Sequence, residues 1–130
     1  MANPNIVNVS DMRGESVGWN LTATTTTTLM TVSSDKLIKI NRITVANVDG
    51  TNAADVTLFI DTSVQTSSGA TVASGAADVY LAKTISVPAD ASLVISDTPI
   101  YMREGDILKG GASAASDLDL FITFEVLDDA

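Results

Sequence analysis

From residue 118 to 126 the chain alternates. Leu118, Leu120, Ile122, Phe124 and Val126 share one parity, and Asp117, Asp119, Thr123 and Glu125 share the other. Side chains of a β-strand point to opposite faces in turn, so this pattern marks a strand with one face in a core and the other in water. The same period of two runs through most of the chain, carried by Val, Ile and Thr and punctuated by Gly, Asn, Asp and Ser. No window sustains the i, i+3, i+4, i+7 apolar spacing of a helix.

Read along the chain, the first strand candidate is 6–9, followed by a turn at 11–15 around Gly14. Residues 17–22 place Val17, Trp19 and Leu21 on one face. The run 24–32 opens with five threonines, Thr24 to Thr28. Their branched side chains suit a solvent-facing strand; an ice- or glycan-binding ladder would need the repeat on neighbouring strands as well. In 36–48 the apolar parity switches from Ile38 and Ile40 to Ile43 and Val45, which predicts a bulge near Asn41–Arg42. Residues 54–60 put Val56, Leu58 and Ile60 on one face.

The segment 61–78 is a compositional break of Ser, Thr, Gly and Ala, and reads as a long exposed loop with a short strand at 70–73. Alternation resumes over 79–87, with Val79, Leu81, Ile85 and Val87 together and Lys83 placed near a sheet end. Short strands follow at 91–96, 100–103 and 107–109, the last entered through a tight turn at Glu104-Gly105-Asp106. A small-residue loop at 110–117 precedes the final strand. About eight to ten short strands in 130 residues give an all-β, single-domain antiparallel β-sandwich over 1–130, jelly-roll-like, with residues 1–10 as an N-terminal arm.

What the chain lacks limits its chemistry. It has no His and no Cys. Nucleophile–imidazole arrangements, thiolate metal sites and disulfides are therefore absent from it. Seven basic residues stand against sixteen acidic ones, a net charge of −9, which disfavours both nucleic acid and anionic membranes as partners. No segment approaches the ~20 apolar residues of a membrane helix. The opening Met-Ala-Asn-Pro-Asn shows no signal-peptide pattern, so synthesis in the cytoplasm is expected.

Hard oxygen donors gather between Asp49 and Asp55, a Ca²⁺ candidate whose plainer reading is an Asx-type turn. The Glu104-Gly105-Asp106 turn resembles one that leads to His ligands in cupins, and here no His follows it. Paired carboxylates for glycoside hydrolysis would need a cleft, yet the carboxylates lie mostly in turns and aromatics make up only 5% of residues. Trp19, Tyr80 and Tyr101 read as core or interface anchors. No cofactor and no catalytic residue is expected.

Several stretches resemble small virion proteins of marine tailed phages, including cyanophages. They are the opening Met-Ala-Asn-Pro-Asn-Ile-Val-Asn-Val, the central run 39–57 (Lys-Ile-Asn-Arg-Ile-Thr-Val-Ala-Asn-Val-Asp-Gly-Thr-Asn-Ala-Ala-Asp-Val-Thr), and 84–95 (Thr-Ile-Ser-Val-Pro-Ala-Asp-Ala-Ser-Leu-Val-Ile). The Glu104-Gly105-Asp106 turn and the Ala-Ser-Asp-rich loop before the last strand belong to the same likeness. It covers most of the chain and departs at 61–78 and 124–130.

The resemblance implies a structural protein of the virion and leaves its station in the particle open; the acidic charge, the absence of catalytic chemistry and the all-β build point from there to a non-enzymatic bacteriophage capsid decoration (cement) protein. Its partners would be the major capsid protein and further copies of itself, as a homotrimer on the capsid surface of the virion. The expected contact residues are Ile6, Val7 and Val9 of the arm, Trp19 and Tyr101, with the 61–78 loop beside them. A neck, tail or fibre-associated station, or a capsid-displayed carbohydrate-binding adhesin, are the alternatives.

Overall fold

The computed structural model describes residues 11–22, 24, 26–62, 69–73 and 78–128. Among them lie nine strands and no helix: β1 (Asp11–Asn20), β2 (Thr27–Thr31), β3 (Lys36–Asn47), β4 (Ala54–Asp61), β5 (Asp78–Val87), β6 (Ser92–Ser96), β7 (Ile100–Met102), β8 (Ile107–Ala112) and β9 (Leu118–Asp128). One sheet has the order β1-β9-β3-β6, with β7 also on β3; the other runs β2-β8-β4-β5. All pairings are antiparallel.

The logic of this order is a long hairpin rolled up. β1 pairs β9, β2 pairs β8, β3 pairs β6 and β7, and β4 pairs β5. Rolling adds the contacts β3–β9 and β4–β8. The result is a jelly roll of two sheets face to face, with the strand opposite β3 split in two at Asp97-Thr98-Pro99.

The core lies between the sheets and is built from the residues of one parity. On β9 these are Leu118, Leu120, Ile122, Phe124 and Val126, all buried as the alternation requires. Fully burying an aliphatic side chain of this size contributes about 1.5–3 kcal/mol. Val56, Leu58 and Ile60 of β4 face them. The parity switch in β3 is a bulge: Ile40 pairs with Phe124 and Arg42 with Thr123, leaving Asn41 as the extra residue. Ile40 and Ile43 are thereby both fully buried.

Four sequence expectations are corrected. Residues 11–15 are not a turn but the first half of β1, held by a continuous ten-residue register from Asp11 opposite Asp128 to Asn20 opposite Asp119. Pairing partners, which the polar sequence does not reveal, make it a strand. Residues 70–73 form no strand. β5 has no single apolar row: Ala82, not Leu81, opposes buried Leu58, and Val79 and Ile85 stay exposed. The cause is two register shifts and a kink at Thr84, whose φ of 49° is unusual for a branched residue. The fourth correction concerns 110–112, which continue β8 rather than opening a loop.

Gly110 shows why small residues occur there. A Cβ at this position would lie 3.0 Å from Leu58 Cδ1, 3.1 Å from Leu29 Cδ1 and 3.2 Å from the Thr57 carbonyl oxygen. Two of these neighbours are side-chain tips, but the carbonyl belongs to a paired strand. Gly110→Val is expected to destabilise the domain by about 1–3 kcal/mol through overpacking, read as a lower urea midpoint.

The connections that follow β1, β3, β5 and β8 gather at one end of the sandwich. Leu21 N–H donates to the Leu118 carbonyl (2.8 Å), Val48 N–H to that of Asp117 (2.8 Å) and Asp90 N–H to that of Asp49 (3.2 Å). At the other end Val32 N–H donates to the Asp106 carbonyl (2.9 Å), and Gly105, at φ 85°, donates to the Val32 carbonyl (3.0 Å).

Candidate functional site

Three places on the described surface are candidates: an exposed sheet face, the surroundings of Trp19, and the loop from Asp49 to Asp55. The outer face of the five-stranded sheet is formed by the residues of opposite parity to the core. Across its strands run the rows Gly18–Phe121–Thr44–Val94 and Gly14–Glu125–Lys39–Tyr101. Phe121 is 47%, Val94 44% and Tyr101 57% exposed, although each is large and apolar or aromatic. Gly18 leaves room for the Phe121 ring: a Cβ there would stand 3.1 Å from Cδ1. Lys39 Nζ lies 3.9 Å from Glu125 Oε2 on the same face. Such mixed faces, with aromatic residues left in water, are the usual raw material of protein contacts.

Trp19 points to the other side of β1. It pairs with Leu120 and packs partly buried against the core. A cleft of about 200 Å³ opens beside it, lined by Trp19, Asn20, Thr22, Thr27, Thr28 and Leu29 among others. It lies where β1 and β2 part at the edge of the sandwich. Asn20 closes one wall, its Nδ2 donating to the Ser116 carbonyl (3.1 Å) and to Asp119 Oδ1 (2.6 Å). The exposed threonines Thr27 and Thr28 begin β2; their cross-strand neighbours are Gly110 and Lys109, so no threonine ladder continues onto the next strand.

In the third place, Asp49 folds its carboxylate back on its own loop. Oδ1 accepts the Thr51 N–H (2.8 Å) and Oδ2 accepts Asn52 Nδ2–H (3.2 Å). These bonds, the Thr51 N–H foremost and the Asn52 side chain next, hold the carboxyl below its ordinary 3.8. Asp55 sits at the far end of the connection, tied through its backbone to Ser113: its N–H donates to Ser113 Oγ (2.7 Å) and its carbonyl accepts the Ser113 N–H (2.8 Å). Among the described residues no three carboxylates converge as a metal site.

The pH consequence follows from the sign. The folded value is depressed, so the contact contributes in full above the ordinary carboxylate range and fades as pH falls through the folded value. An NMR titration of the Asp49 carboxyl carbon is expected to give a midpoint below 3.8, and Thr51→Pro, which removes the N–H donor, should raise it.

One residue that no sequence pattern singles out anchors this end. Asn47 closes β3 and is 3% exposed. Its Nδ2 donates to the Asn52 carbonyl (2.9 Å) and to the Val87 carbonyl (2.9 Å), and its Oδ1 accepts the Asp49 N–H (2.9 Å). It therefore joins the 48–53 loop to the end of β5. At the opposite end Asp106 Oδ2 accepts the Arg103 N–H (2.9 Å), while Oδ1 is buried without a hydrogen-bond partner among the described residues.

Of the expected contact residues, Trp19 and Tyr101 are not brought together: one lines the cleft on the core side of β1, the other projects from β7 on the outer face. Ile6, Val7 and Val9 lie outside the described residues, as do 63–68 and 74–77 of the long loop.

No family model matches the chain, and no curated protein matches it. Among solved structures the chain is similar to a Bacillus endospore appendage, one of "a novel family of disulfide-linked pili". Sequence identity is 16%, the TM-score is 0.46, and the match covers 92% of this chain and 88% of that one. A likeness at this level carries no functional argument.

Proposed function

We propose that this chain is a non-enzymatic structural subunit of a tailed-phage virion, a decoration protein that sits on the outer capsid surface against the major capsid protein and stabilises the shell. The observation that carries the reading is the outer face of the five-stranded sheet, where Phe121 and Val94 stand exposed in one row and Tyr101 in another, with the Ser16–Thr123–Arg42 row between them. Rigid side chains of this kind dominate contact energies when a partner covers them. The resemblance of 1–9, 39–57 and 84–95 to marine phage virion proteins supports the same reading. So does a chain without His or Cys and with a net charge of −9, which suits a protein at high copy number away from DNA.

A neck, tail or fibre-associated station differs in copy number: hundreds per particle for decoration, far fewer for the others. The Trp19 cleft favours a second reading, binding of a carbohydrate, since an indole beside hydroxyl-bearing threonines suits a sugar ring. Glycan-array binding lost in Trp19→Ala would decide for it.

The test of the main reading is the addition of purified protein to shells that lack it. Binding should saturate at capsomer stoichiometry, weaken about tenfold or more in Phe121→Ser/Tyr101→Ser, and vanish on deletion of residues 1–10 with the fold intact. A folded protein that never appears in purified particles, and does not bind their shells, defeats the assignment.

A further inference from the structure

The free edges of the two sheets are unequal. β6 and β7 together make a short edge broken at Pro99, which has no N–H to offer. β5 is kinked at Thr84 and its register shifts twice. β2 has five residues and a register shift around Leu29. β1 is different: ten residues, in unbroken register with β9 on one side, and unpaired on the other among the described residues. A long regular edge offers a row of backbone donors and acceptors to another strand.

The side chains of β1 select which strand. Asp11, Arg13, Glu15, Val17 and Trp19 share the core-side parity, yet the first four are exposed. Arg13 Nε lies 3.4 Å from Asp11 Oδ2, with both side chains about half exposed. A single inward charge blocks strand addition. Charges of alternating sign, two residues apart, block every strand except one that presents them in reverse order.

A second copy of β1 does so. Two antiparallel copies related by a two-fold axis at Gly14 place Arg13 opposite the partner's Glu15, and Glu15 opposite the partner's Arg13. Gly14 has open space above it, with nothing within 4 Å of a Cβ placed there. Shifting the axis to Arg13 opposes two guanidinium groups, and shifting it to Glu15 opposes two carboxylates. An axis at Ser16 pairs neither charge with its opposite. An axis at Met12 also pairs opposite charges, Asp11 with the partner's Arg13, but overlaps the two copies of β1 over residues 11–13 alone, where the axis at Gly14 overlaps 11–17. Like charges directly across a strand pair are destabilising and opposite ones stabilising, so charge and overlap together choose the register. Such a contact is isologous and closes on itself.

We propose that β1 is a self-recognition strand through which two copies join their five-stranded sheets edge to edge, in the register centred on Gly14. The proposal does not depend on where in a particle the protein sits.

Sedimentation equilibrium of the full chain tests it. The wild type should show twice the 13.5 kDa chain mass. Arg13→Glu and Glu15→Arg should each weaken the pair by roughly tenfold to a hundredfold. The exchange Arg13→Glu/Glu15→Arg should restore it, because opposite charges face each other again; all these changes are at exposed positions. Deletion of residues 1–10 should leave the pair intact. A wild-type monomer at about 100 μM, a three-chain mass, failure of the exchange to restore pairing, or loss of pairing on deletion of 1–10 would each overturn the proposal.

Discussion

Asn47→Leu is expected to destabilise the domain by about 2–4 kcal/mol, measured by urea unfolding. Leucine fills the same buried space but strands three groups. The carbonyls of Asn52 and Val87 lose their donor, and the Asp49 N–H loses its acceptor. A neutral hydrogen bond contributes only about 1 kcal/mol net, but a buried partner left unsatisfied costs its own desolvation. Asn47→Asp is the sharper variant. It preserves shape and the acceptor for Asp49, and turns both donor contacts into oxygen facing oxygen. It should be at least as damaging, with faster hydrogen exchange at Asp49. If both variants unfold at the wild-type midpoint, Asn47 does not hold this end of the sandwich together.

The second large effect is Ile122→Ala, with an expected loss of about 3–5 kcal/mol. Ile122 is fully buried on β9, between Val17 of β1 and Ile43 of β3. Its neighbours belong to paired strands on both sides, so the backbone has little freedom to collapse into the cavity. Ile122→Val should lose only about 0.5–1.5 kcal/mol. Against a typical domain stability of about 5–15 kcal/mol, the alanine variant should lose a large share of its stability and show a clearly lower urea midpoint. A loss under about 1 kcal/mol would show that the core does not close around this position.

The elements visible in the sequence are those whose faces differ in polarity. β9 and β4 alternate cleanly, and their buried residues follow the alternation except at Phe59 and Leu127, which are buried at the opposite parity. The bulge in β3 is legible because a bulge displaces every later apolar residue by one position, and Ile40 and Ile43 record that displacement. β1 is half hidden. Asp11 to Glu15 carries no apolar parity, and only its register with β9 makes it a strand.

Gly110 and Gly111 read as loop residues because small size suggests mobility, whereas close approach to Leu58 and Leu29 is what requires a glycine at 110. Thr84 breaks the row in β5 for a reason no hydropathy pattern carries, a backbone N–H turned to Thr57 Oγ1 (3.1 Å). The sites are less legible still. Asn47 sits at the end of an apolar strand, where nothing local marks it as buried; its contact with Val87 of β5 lies 40 positions further along the chain. The exposed residues Phe121, Val94 and Tyr101 of the outer face come from three different strands, so no local window contains them.

The rolled hairpin has a consequence for synthesis. Of the nine described strands β9 is the last to leave the ribosome, yet it belongs between β1 and β3, the first and third of them to emerge. Until it arrives, the larger sheet has no middle, and two nascent strands wait with unpaired edges on either side of a gap. Completion is therefore limited by contacts between distant parts of the chain, which places folding in the slow, millisecond-to-second class of β-rich domains. A truncation that removed β9 would take away the centre of a sheet rather than its margin.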